Sequence, residues 1–349
     1  MLNRVFRPHS RALLGFLLGL GACAGPSAPA PSASTPVART EPDDSDLWNL
    51  VPAEAQTLIA ADMAQLRESP WTRNALSKAA TEGRNAWKVA LGFDEVADLD
   101  RLVFASLRDL SEGGSLLVAQ GRFDRDALTD AFQKQGQSQP SNYRSVPVLG
   151  RPTADSGDGG PALGFLTRRT VLSGSQVSVR AAIDCGFGLA RGSGMTPWVE
   201  TLQGELASRR DPSRRGPAIE AVFRFDEQAR ARLQSEMGEG GALEHLGVRV
   251  DLGTDLVISA VGLVHTAQQA QDMAARLSTL VREQRNRPVV VLLGLRSVVS
   301  GIRIEARGST VEAALNVPED QREAIVERMT TLTEMLARAR AARAAEASR

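Results

Sequence analysis

The residues whose types could do chemistry are few, so each can be weighed. The 349-residue chain holds two cysteines, Cys23 and Cys185, and three histidines. Two of the histidines, His245 and His265, stand too far apart in sequence for a metal-ligand spacing, and zinc, haem and iron–sulfur patterns are missing. Asp98-Leu99-Asp100 offers two carboxylates of the kind that glycosidases and metal enzymes use, but their place just before a strand predicts a helix–strand turn. Arg209, Arg210, Arg214 and Arg215 bring four guanidiniums close together, a patch that could grip lipid phosphates or an acidic partner. Asp211 and Pro212 among them favour a solvated loop between domains. Ser173-Gly174-Ser175-Gln176-Val177 does not complete the G-x-S-x-G nucleophile turn, and no lysine follows a glycine as a phosphate-binding loop requires. Gly186-Phe187-Gly188 begins like a dinucleotide turn, but Arg191 stands at the third glycine's place. No catalytic residue, cofactor or metal is expected.

The N-terminus is more specific. Arg4, Arg7 and Arg11 form a positive segment with no acidic residue before Glu41, and residues 12–22 follow without a charge. That apolar run is too short to span a bilayer and suits a secretory signal. Leu20-Gly21-Ala22-Cys23 then closes it, an arrangement that resembles the lipobox of a bacterial lipoprotein precursor. The resemblance implies cleavage before Cys23 and lipid on its sulfur; with Ala24 next, it implies the outer membrane, facing the periplasm, more than the cell surface. A chain held by two or three acyl groups stays on its membrane, whereas one alone is marginal. With Cys23 so used, Cys185 has no disulfide partner. It is expected to be a buried small residue near the end of a helix.

Residues 23–46 are rich in Pro, Ala and Ser without apolar periodicity, as expected of a tether. Loss of residues 1–22 leaves 41 − 3 = 38 basic against 41 acidic side chains, which gives nucleic acid no electrostatic footprint.

The elements that must position any site come from periodicity and caps. Strands are expected at 57–64, 102–107, 115–122, 143–149, 163–173, 219–225, 248–252, 256–263, 302–306 and 311–315. Ser69-Pro70, Asp124, Ser175, Pro197, Asp226, Thr266 and Pro318 mark helix starts. Residues 289–299 suit a buried strand in their first part and a short helix in their second. Hairpins alternating with helices predict an α+β fold: two similar halves, 47–208 and 217–349, of antiparallel strands with helices over one sheet face. Residues 209–216 would form the loop between them. Arg122-Phe123-Asp124 and Arg224-Phe225-Asp226 look like one phrase repeated. Val51-Pro52-Ala53-Glu54-Ala55, Ala61-Asp62-Met63, Ser69-Pro70 and Leu172-Ser173-Gly174-Ser175 loosely resemble a group of uncharacterised bacterial envelope proteins built from hairpin–helix units. That likeness implies a fold and no site.

The expected function is that of a non-catalytic lipoprotein that binds or scaffolds an envelope component, a protein or a lipid. The alternatives are a hydrolase with dispersed residues that uses His245 or His265, and a carrier of an apolar ligand in a cavity.

Overall fold

In a computed structural model, the described residues are 41–77, 94, 97–107, 114–134, 139–150, 160–209, 215–237, 243–292 and 294–328. Leu20, Gly21, Ala22, Cys23, Arg210 and Arg214 lie outside them, as do most of the expected tether and the far end of the final helix.

One antiparallel sheet of twelve strands organises the chain. Its first half holds β1 (Thr57–Asp62), β2 (Leu99–Ser106), β3 (Ser115–Gly121), β4 (Gln139–Tyr143), β5 (Val146–Gly150), β6 (Pro161–Phe165) and β7 (Thr170–Ser175). The second holds β8 (Ile219–Arg224), β9 (His245–Leu252), β10 (Leu256–Leu263), β11 (Arg303–Arg307) and β12 (Thr310–Val317). The helices are α1 (Met63–Glu68), α2 (Arg125–Lys134), α3 (Gln176–Gly186), α4 (Pro197–Ser208), α5 (Glu227–Met237), α6 (Ala267–Arg285) and the short α7 (Pro288–Leu292) and α8 (Arg296–Ser300).

The fold is α+β, and its halves share a topology. Outward from the central pair β1–β8, one side runs β1-β2-β3-β7-β6 and the other β8-β9-β10-β12-β11. Each is a strand, a helix, a hairpin, a helix and a second hairpin whose last strand joins the first hairpin. The β4–β5 hairpin is an addition at the first half's edge. Arg122-Phe123-Asp124 follows β3, whereas Arg224-Phe225-Asp226 spans the end of β8, so that phrase does not mark equivalent places in the repeat.

Helices cover both faces, where one covered face was expected. Leu58, Val103, Val118, Leu172 and Val222 pack under α3 and α4. Their neighbours of opposite parity pack elsewhere: Val171 with Leu128 and Phe132 of α2, and Ala221 and Phe223 with Met273 and Ala274 of α6. Adjacent buried pairs such as Val118-Ala119 and Val171-Leu172 need cover on each side, because successive side chains point to opposite faces.

Several boundaries follow their local chemistry. The Ser175 side chain accepts from Ser178 N and caps α3, and Thr266 with Gln269 closes a full capping box on α6. Asp124 Oδ1 accepts from Ala127 N at 3.0 Å and opens α2. The expected strand 57–64 stops at Asp62 instead, whose carboxylate accepts from Gln65 N at 2.9 Å and starts α1 there. Ser69 ends that helix and, as expected, opens another helical stretch: its Oγ accepts from Trp71 N at 3.2 Å and its carbonyl from Arg73 N at 3.0 Å, ahead of the helical residues 73–77. The expected strands 143–149 and 163–173 each contain a turn, at Arg144-Ser145 and at residues 166–169. The ambiguous 289–299 stretch forms α7 and α8, with no strand among its described residues.

The proposed break at 209–216 divides the sequence but not the sheet, since β1 pairs with β8 along five residues of register. Helix α4 precedes that break yet packs on β9 and β10. Gly247 makes this possible: a Cβ there would stand 2.9 Å from Leu206 Cδ1.

Candidate functional site

The chain segment that precedes the sheet forms a strap across the face that α3 and α4 cover. Asp44 fixes its start. Its Oδ2 accepts from Thr167 Oγ1 at 2.7 Å and from Thr170 Oγ1 at 2.5 Å, while its carbonyl accepts from Gln120 Nε2 at 3.2 Å. Asp43 N donates to Gly186 O at 3.0 Å. Asp46 then caps a 3-10 turn, Leu47–Leu50, whose Leu47 and Leu50 are fully buried. Gly192 lies so close to this turn that a Cβ would meet Asn49 O at 2.1 Å, and Ser193 N donates to Val51 O at 2.7 Å. The strap is therefore part of the core.

A cavity of about 210 Å³ lies between this strap, α4, the start of α1 and strands β1, β2 and β8. Ala60, Val103 and Trp48 supply apolar wall; Asp62, Glu220, Gln203 and Arg101 supply polar wall. The strands deliver these groups through their alternation: Glu220 and Val222 share the covered face of β8, and Glu220 stands in register with Ala60 on one side and Arg249 on the other. Behind the wall, Arg249 Nε donates to both Asp251 carboxylate oxygens at 3.1 Å. Arg249 and Asp251 are only 4% and 6% exposed, and Arg249 Nη2 has no hydrogen-bond partner among the described residues. Burying charged groups this deeply is costly unless they are paired. Burial pushes the Glu220 carboxyl above its ordinary range, against the pull of Arg249 and a hydrogen bond with Gln203.

The site combines a mixed lining, an aromatic wall and a desolvated carboxylate. It can hold a small polar molecule. Two carboxylates in so small a space make it a poor berth for an acyl chain.

No family description matches this chain. No curated protein matches it either. Two solved structures, crystal forms I and IV of TP0453, are similar to it at a TM-score of 0.43 and 9% identity. They cover 82% and 80% of this chain and 98% and 96% of their own. At this level neither residues nor function transfer.

None of the described residues singled out from sequence for their chemistry lines the cavity. Arg209 pairs with Glu205 and with Glu312 at 2.6 Å, the latter on β12; these bonds raise the Arg209 pKa and lower that of Glu312. Arg215 reaches Glu68 of α1 at 2.7 Å. The two described arginines of the cluster thus serve different carboxylates on different elements. Asp98 Oδ2 accepts from Asp94 N at 2.9 Å, and Asp100 pairs with Arg169 at 2.7 Å. His265 pairs with Glu244 at 3.1 Å. His245 stacks on Trp198 with centroids 5.3 Å apart, and burial, then Arg224, pushes its pKa down to about 4. Cys185 is buried, and burial, then Glu54 and Asp184, pushes its thiol up to about 12, which keeps it from acting as a thiolate at neutral pH. Among the described residues there is no group of three or more metal-ligating side chains, and no helix is long and apolar enough to cross a membrane.

Glu220, Arg249 and Asp251 carried a signal that sequence reasoning passed over. In IEAVFR and HLGVRVDL they take every second position, on the side where Val222 and Gly247 require cover.

Proposed function

We propose that this protein is a lipid-anchored protein of the cell envelope, attached through Cys23 to the outer membrane and facing the periplasm, which binds another envelope component without catalysis. The observation that carries this reading is the strap. The chain that leaves the lipobox and its spacer runs straight into Asp44, and a few residues later Leu47 and Trp48 form one wall of the cavity. Anchor and binding surface would then be joined by a fixed root. Fully extended, the residues between Cys23 and Glu41 reach at most about 60 Å, so the cavity stays within reach of partners at the same membrane.

Replacing Cys23 with Ser tests the anchor. The variant is expected in the soluble fraction, while the wild type sediments with membranes and carries mass from acyl chains. Crosslinking in intact cells tests the binding role: a reproducible envelope partner that is lost in the Cys23→Ser variant supports it. Wild type that is soluble and unmodified, or that captures no partner at any growth stage, overturns the reading.

A further inference from the structure

We propose that the cavity beneath the strap binds a small molecule through a primary ammonium group, held by Glu220 and Asp62 with Trp48 alongside. The inference rests on the binding role proposed above and names its ligand class.

Charge comes first. The lining holds two carboxylates, Asp62 and Glu220, against one guanidinium, Arg101, whose Nη1 already donates to Ser45 O at 3.2 Å. Immediately behind, Arg249 is matched by Asp251. The wall therefore keeps an excess negative charge, which repels carboxylates and phosphates and attracts a cation.

Hydrogen bonding narrows the choice. An ionised carboxylate has about four acceptor positions, and the amide of Gln203 uses one of those on Glu220. Asp62 accepts from Gln65 N and from Gln65 Nε2 at 2.9 and 3.0 Å and keeps acceptor capacity as well. An ammonium brings three donors, enough to join acceptors on more than one wall. Trp48 also lines the space, and an aromatic ring favours a neighbouring cation.

Size completes the assignment. A space of about 210 Å³ has room for on the order of ten non-hydrogen atoms, which suits a short amine.

The test is calorimetric titration of the full-length protein in detergent micelles with ethanolamine and with 1,4-diaminobutane. N-acetylethanolamine, whose acylated nitrogen carries no charge, and acetate serve as controls. Saturable binding of either amine, and none of the two controls, is expected. Glu220→Gln is expected to weaken amine binding at least about tenfold, the cost of losing one charge-assisted contact, with an unchanged circular dichroism spectrum. Should that variant not fold, Gln203→Ala is expected to weaken binding at least about threefold. Wild type that binds neither amine, equal binding of N-acetylethanolamine, or folded variants that bind like wild type would overturn the proposal. Failure here leaves the membrane fractionation of the Cys23→Ser pair standing, and failure there leaves amine binding standing.

Discussion

At the residue scale, a half-buried histidine and a buried ion pair dominate the expected behaviour. His245 is held neutral in the folded protein at about pH 4 and above, whereas its ordinary value is 6.5. Between those values the unfolded chain binds more protons, so folding weakens as pH falls from 6.5 towards 4 and is unaffected above that window. The loss amounts to about 2–3 kcal/mol by the lower end. Urea midpoints measured across this range should fall accordingly, and His245→Phe, which keeps a ring against Trp198, should flatten the decline. The Arg249–Asp251 pair makes a stronger claim. Asp251→Asn leaves a guanidinium buried without its counter-charge and should cost about 3–5 kcal/mol in urea denaturation. Replacing both residues with apolar side chains of similar volume should cost much less, because no charge is then left behind.

At the element scale, what could be read from sequence was set by whether a turn carries its own chemistry. Ser175, Asp124, Pro197 and Thr266 announce helices because their side chains or rings satisfy the first turn, and each stands at the border expected. Arg144 and Ser145 announce nothing. They turn β4 into β5 with φ of 47° and 64°, a conformation that normally calls for Asn or Gly, so the hairpin looks like one uninterrupted strand. Ser145→Gly should relieve that strain and raise stability by about 0.5–1 kcal/mol, seen as a higher midpoint without a change in denaturant slope. The turn over residues 166–169 is equally silent, having neither Gly nor Pro. The cavity was illegible for a related reason. Glu220, Arg249, Gln203 and Trp48 come from four separate segments, and only sheet register and the seat of α4 bring them near one another.

At the scale of the molecule, the alternation of hairpins and helices was enough to predict an antiparallel α+β fold. It could not show that cover lies on both faces, because that depends on which parity of each strand meets which helix. Nor could it show that the halves share one sheet. The β1–β8 pairing and the reach of α4 over β9 and β10 join them into one body. The segment 217–349 expressed alone loses both its neighbour β1 and the cover of α4. It should show neither a cooperative melt nor the amide protection of the intact protein. The whole chain should unfold in a single transition, and two separate transitions in calorimetry would contradict this.

The strap also has a mechanical meaning. A pull that arrives from the N-terminal side meets the bonds of Asp43 and Asp44 before it can reach Leu47 or Trp48. Those bonds end on Gly186, Thr167 and Thr170, in α3 and at the base of the β6–β7 turn, so the load passes into the sheet and bypasses the cavity wall. Asp44 acts as strain relief on a cable, letting the far end be tugged while the seat at the near end keeps its shape.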